Sequence, residues 1–275
     1  LFIDCSGFRS LLLGGALEEP FISFADKLPV NSAWACQLPY VDRKKEMVNY
    51  TNCTALGNGW VWNTPLWTRI GTGYVYSNKY VSDDDALEEF KEYLKKTGSY
   101  RDDAKYRNLK FRVGIHKRIW VKNVCGIGLS ASFIEPLESN GLYSVHEFLL
   151  RLLRSLKRNP EGYVSRWDKD WFNTTCRSIF QGLADFIGFH YSLSHRDDTE
   201  FWRDVGNREY YEDVFDKMSD HPLYDYDEDD SFDCTYADIY FKYPAGYEEV
   251  LSEMAKGTIT PAEKWKMLFE QLENK

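Results

Sequence analysis

The sequence predicts an α+β protein in which a mixed, largely antiparallel sheet precedes a helical region. Three observations carry this. Between Phe21 and Asn123, β-branched and aromatic residues alternate with turn formers. From about Gly141, apolar residues recur at helical spacing. Beyond Pro160 the composition shifts to helix formers, with no internal repeat.

In chain order, Leu1-Phe2-Ile3-Asp4-Cys5 reads as a buried strand entering a loop, Ser6-Gly7-Phe8-Arg9. A domain rarely starts in mid-strand, so sequence is expected upstream. Strands are expected at Trp34–Tyr40, Tyr50–Leu56, Gly59–Leu66, Arg69–Ser77 and Lys110–Lys122, with a tight turn at Asn58-Gly59. A helix interrupts them. Ser82 caps it, Asp83, Asp84 and Asp85 suit its positive end, Lys95 and Lys96 suit its negative end, and Leu87, Phe90 and Leu94 form its stripe. The next helix carries Leu142, Val145, Phe148, Leu149, Leu152, Leu153 and Leu156 on one side and stops at Asn159-Pro160. A long helix is expected over Trp167–Leu193, with Trp171, Ile179, Phe180, Leu183, Phe186, Ile187 and Tyr191 along one side, and shorter ones near Glu209–Met218 and Tyr247–Met254. A last helix is signalled by the Thr260 cap, Pro261 and Glu263.

Composition excludes several functions. Of 275 residues, 34 are Lys or Arg and 43 are Asp or Glu, a net charge of −9 that disfavours nucleic-acid binding. No apolar run approaches membrane-spanning length. Cys5, Cys36, Cys53, Cys125, Cys176 and Cys234 form no Cys-x-x-Cys pair, so neither zinc nor a redox dithiol is expected. Free thiols, a cytoplasmic location and unglycosylated Asn49, Asn52 and Asn173 follow. The Asp-rich stretch Tyr224–Asp233 has Asp230 where a calcium loop needs Gly and no closing Glu, so a solvated acidic loop is expected and no metal site. Aromatics make up 16% of the chain, enough for aromatic-lined surfaces as well as an aromatic core.

Three stretches carry chemistry. In Asn123-Val-Cys-Gly126-Ile-Gly128-Leu129-Ser-Ala-Ser-Phe-Ile-Glu135-Pro136-Leu137-Glu138-Ser139-Asn140-Gly141, a buried strand ends in two glycines and loops into a helix start. Glycines permit close approach of a ligand to backbone, and the free N–H groups of a helix start form an anion site. A tight strand-to-helix turn would look similar over the Gly-x-Gly part alone. In Gly59-Trp60-Val61-Trp62-Asn63-Thr64-Pro65-Leu66, alternation puts both Trp on one face, for sheet packing or for a ligand. In Leu1-Phe2-Ile3-Asp4-Cys5-Ser6-Gly7, an acidic residue and a Gly follow a strand.

Together these stretches resemble the flavin-dependent tryptophan halogenases. Glu135-Pro-Leu-Glu138-Ser, preceded by Gly-Ile-Gly-Leu-Ser-Ala-Ser-Phe, is similar to that family's signature. Gly59-Trp60-Val61-Trp62 through Pro65 resembles its Trp-x-Trp-x-Ile-Pro motif, with Thr64 in place of Ile. Arg69-Ile-Gly71-Thr-Gly73-Tyr74 follows at the family's place. The resemblance implies that Glu138 faces the substrate as the catalytic carboxylate. It implies that the backbone N–H groups of Asn140 (Thr in the family) and Gly141 bind halide. Gly126, Gly128, Leu129 and Leu142 would contact the cofactor, and Trp60, Trp62 and Pro65 would stand between flavin and substrate.

The motifs span roughly Leu1 to Leu156; His190-Tyr191, Arg196-Asp197-Asp198 and Phe201-Trp202 resemble the substrate-covering helical region more thinly. The Gly-x-Gly-x-x-Gly loop that cradles FAD and the family's catalytic Lys segment do not occur. The implied fold is a truncated FAD-dependent monooxygenase-like one. Residues 1–20 and 110–158 would belong to the flavin-binding domain, 21–109 to a strand-rich sheet facing flavin and substrate, and 159–275 to a helical cover. The implied activity is oxidative chlorination or bromination of an electron-rich aromatic such as tryptophan or another indole. It would use FAD reduced by a separate flavin reductase, oxygen and halide, and the chain alone would be inactive. A flavin-dependent hydroxylase and a non-catalytic module binding an aromatic ligand or a protein are the rivals. The oligomeric state, including a homo-oligomer, is left open.

Overall fold

The computed structural model describes residues 1–158 and 162–208, all within the first of the two units into which the chain divides, Leu1–Val214. β1 (Phe2–Asp4) is followed by a 3-10 turn at Gly7–Arg9 and a π-helical stretch at Leu11–Ala16. Next come β2 (Phe21–Ser23), β3 (Ser32–Leu38), the short α1 (Arg43–Glu46), β4 (Asn52–Leu56), β5 (Gly59–Pro65) and β6 (Ile70–Tyr76). After α2 (Asp83–Lys96) the chain forms β7 (Arg107–Lys110), β8 (Gly114–His116), β9 (Trp120–Val121), β10 (Val124–Gly126) and β11 (Ser132–Phe133). It closes with α3 (Asn140–Lys157), α4 (Arg166–Ser192) and α5 (Glu200–Gly206). The result is an α+β fold with mixed and antiparallel sheets.

The largest sheet is antiparallel, in the order β4-β5-β6-β3-β7. It is covered on both faces, so its strands alternate between two cores. Val61, Tyr74 and Tyr76 pack with Phe90 and Leu94 of α2, while Trp60, Val75 and Ala33 join the other core. The β5–β6 pairing sets Trp62 against Gly73, where a Cβ would stand 2.1 Å from the indole ring; glycine makes room for it. α2 starts and ends as its sequence dictates. Ser82 Oγ accepts from Asp85 N at 3.1 Å, and Ala86, Phe90 and Leu94 are buried, with Leu87 only half-buried.

Two three-stranded sheets complete the scaffold, β1-β10-β9 and β11-β8-β2. β1 lies parallel to β10, Phe2 opposite Val124 and Asp4 opposite Gly126. Asp4 fixes the turn that follows, accepting from Ser6 N, Ser6 Oγ, Leu12 N and Leu13 N at 2.5–3.0 Å. Burial works to raise its pKa, but the hydrogen bonds from Ser6 and from the backbone outweigh burial and hold the carboxyl below its ordinary value.

The structure departs from the sequence expectations at four places. Lys110–Lys122 is not one strand. It breaks into β8 and β9, and Asn173 Oδ1 accepts from Ile119 N and Trp120 N where the chain turns. β1 is not buried throughout: Phe2 is 61% exposed, because among the described residues no layer covers that face, and only Asp4 is enclosed. α3 buries only part of its expected stripe: Val145, Phe148, Leu152 and Leu156 pack on the core. Leu142, Leu149 and Leu153 are exposed, whereas Asn140, Ser144, Arg151 and Ser155 are buried with Phe148 and Leu152. Trp171 of α4 likewise lies outward, and Phe172, Cys176, Phe180, Leu183 and Ile187 are the buried ones.

α4 begins at a capping box of Ser165 and Asp168. The Asn159-Pro160 stop, the helices expected near Glu209–Met218 and Tyr247–Met254, the Thr260 cap and the Tyr224–Asp233 loop lie outside the described residues.

Candidate functional site

The loop between β10 and α3 is built as a rigid ledge. Ile127 N donates to Asp4 O at 3.0 Å, and Ser130 Oγ donates to the carbonyls of Asp4 and Ile127. Gly126 is enclosed: a Cβ there would meet Leu13 at 2.8 Å and Ala131 at 3.4 Å, so protein packing already accounts for its glycine. Gly128 turns the chain at φ +72°, a left-handed conformation that favours glycine. The next residue, Leu129, is 44% exposed.

The two carboxylates of the motif have opposite settings. Glu135 is fully buried. Its Oε2 accepts from Trp60 Nε1 at 2.8 Å and from Tyr191 OH at 2.5 Å, while Oε1 has no partner among the described residues. Burial pushes its pKa up to about 7, against the opposing pull of the Tyr191 and Trp60 hydrogen bonds and of nearby His190. Glu138 is part-exposed, and its Oε1 lies 2.8 Å from His190 Nε2. The adjacent residues His190 and Tyr191 of α4 therefore hold the two motif carboxylates separately.

Ser139 then adopts φ 58°, ψ 24°, a left-handed conformation uncommon outside glycine, and its side chain does not cap α3. The first N–H groups of α3 have no intrahelical acceptor, and those of Asn140 and Gly141 are among them. Asn140 is 3% exposed, and its Nδ2 has no partner among the described residues. Beside it Gly141 is exposed, and a Cβ there would meet nothing within 4 Å. Leu142, 73% exposed, follows. The start of α3 at Asn140 and Gly141 suits a small anion, and the exposed Leu129 and Leu142 suit a flat apolar ring, so these residues fit a halide and the ring end of a flavin.

The two Trp residues separate in role. Trp60 is buried and tied to Glu135; Trp62 is half-buried, with ring centroids 6.4 Å apart in edge contact. Pro65 ends β5, half-buried. Segment 196–202 is committed to a hairpin tip: Arg196 Nη1 and Trp202 Nε1 donate to Leu56 O, and Thr199 Oγ1 donates to Gly57 O. Asn173, a sequon, is buried in hydrogen bonds to Ile119 and Trp120. Among the described residues no three His, Cys, Asp or Glu stand together as a metal site, and no helix is long and apolar enough to cross a membrane.

His190 and Tyr191 are the site residues that the sequence leaves unassigned. The available signal was chemical. Two carboxylates in an otherwise apolar loop need partners, and a His-Tyr pair in an apolar helix supplies them.

The family described as Tryptophan halogenase matches residues 1–225, well beyond the motif-bearing first half. The chain is 41% identical over 203 residues to tryptophan 7-halogenase KtzQ of Kutzneria sp. (strain 744), covering 74% of this chain and 37% of that protein. It is 39% identical over 203 residues to tryptophan 6-halogenase ThaL of Streptomyces albogriseolus, with the same coverage. The chain thus spans little more than a third of the length of these relatives. Among solved structures, tryptophan 6-halogenase SttH from Streptomyces toxytricini superposes with TM-score 0.72 at 35% identity, over 80% of this chain and 42% of that one. The VirX1 apo structure superposes with TM-score 0.75 at 34% identity, over all of this chain and 54% of that one. Sequence, fold and the loop before α3 lead to one conclusion: this chain belongs to the tryptophan halogenase family.

Proposed function

We propose that the chain forms the halide-holding and flavin-facing part of an FAD-dependent halogenase acting on an electron-rich aromatic, tryptophan or another indole. The observation that carries this is the start of α3, with Ser139 left-handed and not capping, the amides of Asn140 and Gly141 without an intrahelical acceptor, and Glu138 alongside. When bound, reduced flavin supplies with oxygen the oxidising power that makes halide electrophilic; a separate reductase would deliver it.

The chain's own residues then have distinct tasks. The N–H groups of Asn140 and Gly141 hold chloride or bromide at the positive end of α3. Leu129 and Leu142 exclude water from the ring face and, with Gly128, border the cofactor. Trp62 and Pro65 stand between cofactor and substrate, and buried Trp60, itself tied to Glu135, braces Trp62 by edge contact. Glu138 polarises the oxidant or stabilises positive charge developing on the substrate ring.

In this assignment residues 1–20 and 110–158 form the flavin side, 21–109 the sheet between flavin and substrate, and 159–275 the cover. Halide-dependent turnover tests it. Glu138→Gln should slow turnover about 100-fold, equivalent to about 2.7 kcal/mol. Asn140→Ala should change halide dependence little, because the amide survives, whereas Asn140→Pro removes the N–H and should weaken it. Normal halide dependence in Asn140→Pro would overturn the halide assignment, and turnover without halide would favour a hydroxylase.

A further inference from the structure

Glu138 is held by a histidine whose proton count is fixed from its other side. His190 Nδ1 lies 2.8 Å from Phe186 O, one turn back on α4. A carbonyl oxygen can only accept, so Nδ1 carries a hydrogen. The opposite nitrogen, Nε2, lies 2.8 Å from Glu138 Oε1. A bare imidazole nitrogen and a bare carboxylate oxygen would meet there lone pair to lone pair. The contact therefore needs one proton between them, on His190 as an imidazolium or on Glu138 as a carboxylic acid. In either form the pair is neutral overall.

That neutrality matters because of what stands next to Glu138. Two and three residues on are Asn140 and Gly141, whose amides lie in the first turn of α3, where they have no intrahelical acceptor. An anion there beside an uncompensated carboxylate would be repelled. The other titratable groups around the pair do not supply compensation. Buried Glu135 and Tyr191 are occupied with each other, and the Cys53 thiol on β4, which donates to Leu137 O, is pushed up to about 11 by burial and by Glu138. Among the described residues, His190 is the basic side chain paired with Glu138.

We infer that His190 is the positioning residue of Glu138 and the source of the proton that lets a halide sit beside that carboxylate. It anchors Oε1 through the shared proton and leaves Oε2 as the oxygen available to a reacting group. This rests on the halogenase function proposed above.

The test crosses His190→Ala with Glu138→Gln in the active enzyme, reading kcat and halide KM separately, together with side-chain nitrogen NMR of His190 in the full chain. His190→Ala should raise halide KM on the order of tenfold near neutral pH, the effect of one uncompensated charge close to an anion in a half-exposed site. In the Glu138→Gln background the same substitution should leave halide KM unchanged, since no charge remains to offset. His190→Gln, which restores a donor but cannot take up a charge-compensating proton, should recover kcat in part and KM not at all. In the NMR experiment one proton should bridge Nε2 and Glu138, and Glu138→Gln should leave His190 neutral with its hydrogen on Nδ1.

An equal KM rise in both backgrounds, no rise in either, or an Nε2 without a bridging proton beside an ionised Glu138 would overturn the inference. Failure of the halogenase function itself would look different: the parent enzyme would show no halide dependence, while the bridging proton would still be seen.

Discussion

The five-stranded sheet with α2 and the β10–α3 loop with α3 and α4 solve opposite problems. In the sheet the large side chains are buried and the helix that covers it is capped by its own sequence. Tyr74, Tyr76 and Phe90 are fully buried, α2 is capped by its own Ser82, and Tyr74 OH donates to Glu89. Around the loop, demands are left open. α3 shows leucines and hides polar side chains, Ser139 caps nothing, Glu135 Oε1 and Asn140 Nδ2 lack partners among the described residues, and Leu129 and Leu142 are exposed. The difference teaches where local rules are relaxed: around the loop proposed above to hold the ligand, exposed leucines and unpartnered polar atoms stand together.

Substitutions can break this contrast, beginning with the largest effect. Trp60→Ala removes a buried indole that belongs to the core and donates to Glu135, and should cost about 3–5 kcal/mol in denaturant unfolding. Trp62→Ala, half-buried, should cost well under that and act on product formation or uncoupling instead. Equal losses of stability for the two would erase the distinction between core and site.

Glu135→Ala comes next. It strips the acceptor from two buried donors, Trp60 Nε1 and Tyr191 OH, and should destabilise by about 2–4 kcal/mol. Glu135→Gln keeps an acceptor and should cost less. A Glu135→Ala protein as stable as its parent would show that the carboxylate does not join the sheet to α4.

A subtler effect is in pH. Burial raises the Glu135 pKa to about 7 from an ordinary 4.5, so the folded protein binds this proton more tightly than the unfolded chain does. The stability it contributes is present in full below the unfolded value and is lost as pH rises through about 7. Unfolding free energies measured across that window should decline with pH in the parent and flatten in Glu135→Gln; parallel curves would place the titration elsewhere.

The smallest effect sharpens the contrast from the other side. Leu142→Ala removes an exposed side chain and should change stability by no more than about 0.5 kcal/mol. If that substitution nevertheless weakens flavin binding, the exposed leucine serves the ligand and not the fold.

Legibility in the sequence follows the same division. The α2 boundaries were legible because capping is a matter of neighbours: Ser82, three Asp and two Lys state both ends within one helix. The Asn58-Gly59 turn and the shared face of Trp60 and Trp62 were legible for the same reason. Periodicity along α3 gave a stripe whose Val145, Phe148, Leu152 and Leu156 do pack on the core, but not that Leu142, Leu149 and Leu153 at its edges stay exposed. The motif carboxylates stood out in sequence, yet their holders lie 52 and 56 residues away, beyond any local pattern. The fracture of Lys110–Lys122 depends on Asn173, more than 50 residues later, and was equally out of reach.

The pairing of Ser32 with Lys110 has a consequence for how the chain assembles. The five-stranded sheet enters and leaves at neighbouring points on adjacent strands, so once folded it holds its two ends together. β1 and β10, separated by more than 120 positions, then need to close only a short effective loop to form their parallel pair. Chain-closure entropy grows with the logarithm of loop length, so a sheet that forms first removes much of that cost and should hasten the non-local step. An entry and exit so close together also make residues 32–110 behave as an insert in a host. Homologues should be able to exchange that block, or lengthen its hairpins, without moving the ledge beneath α3.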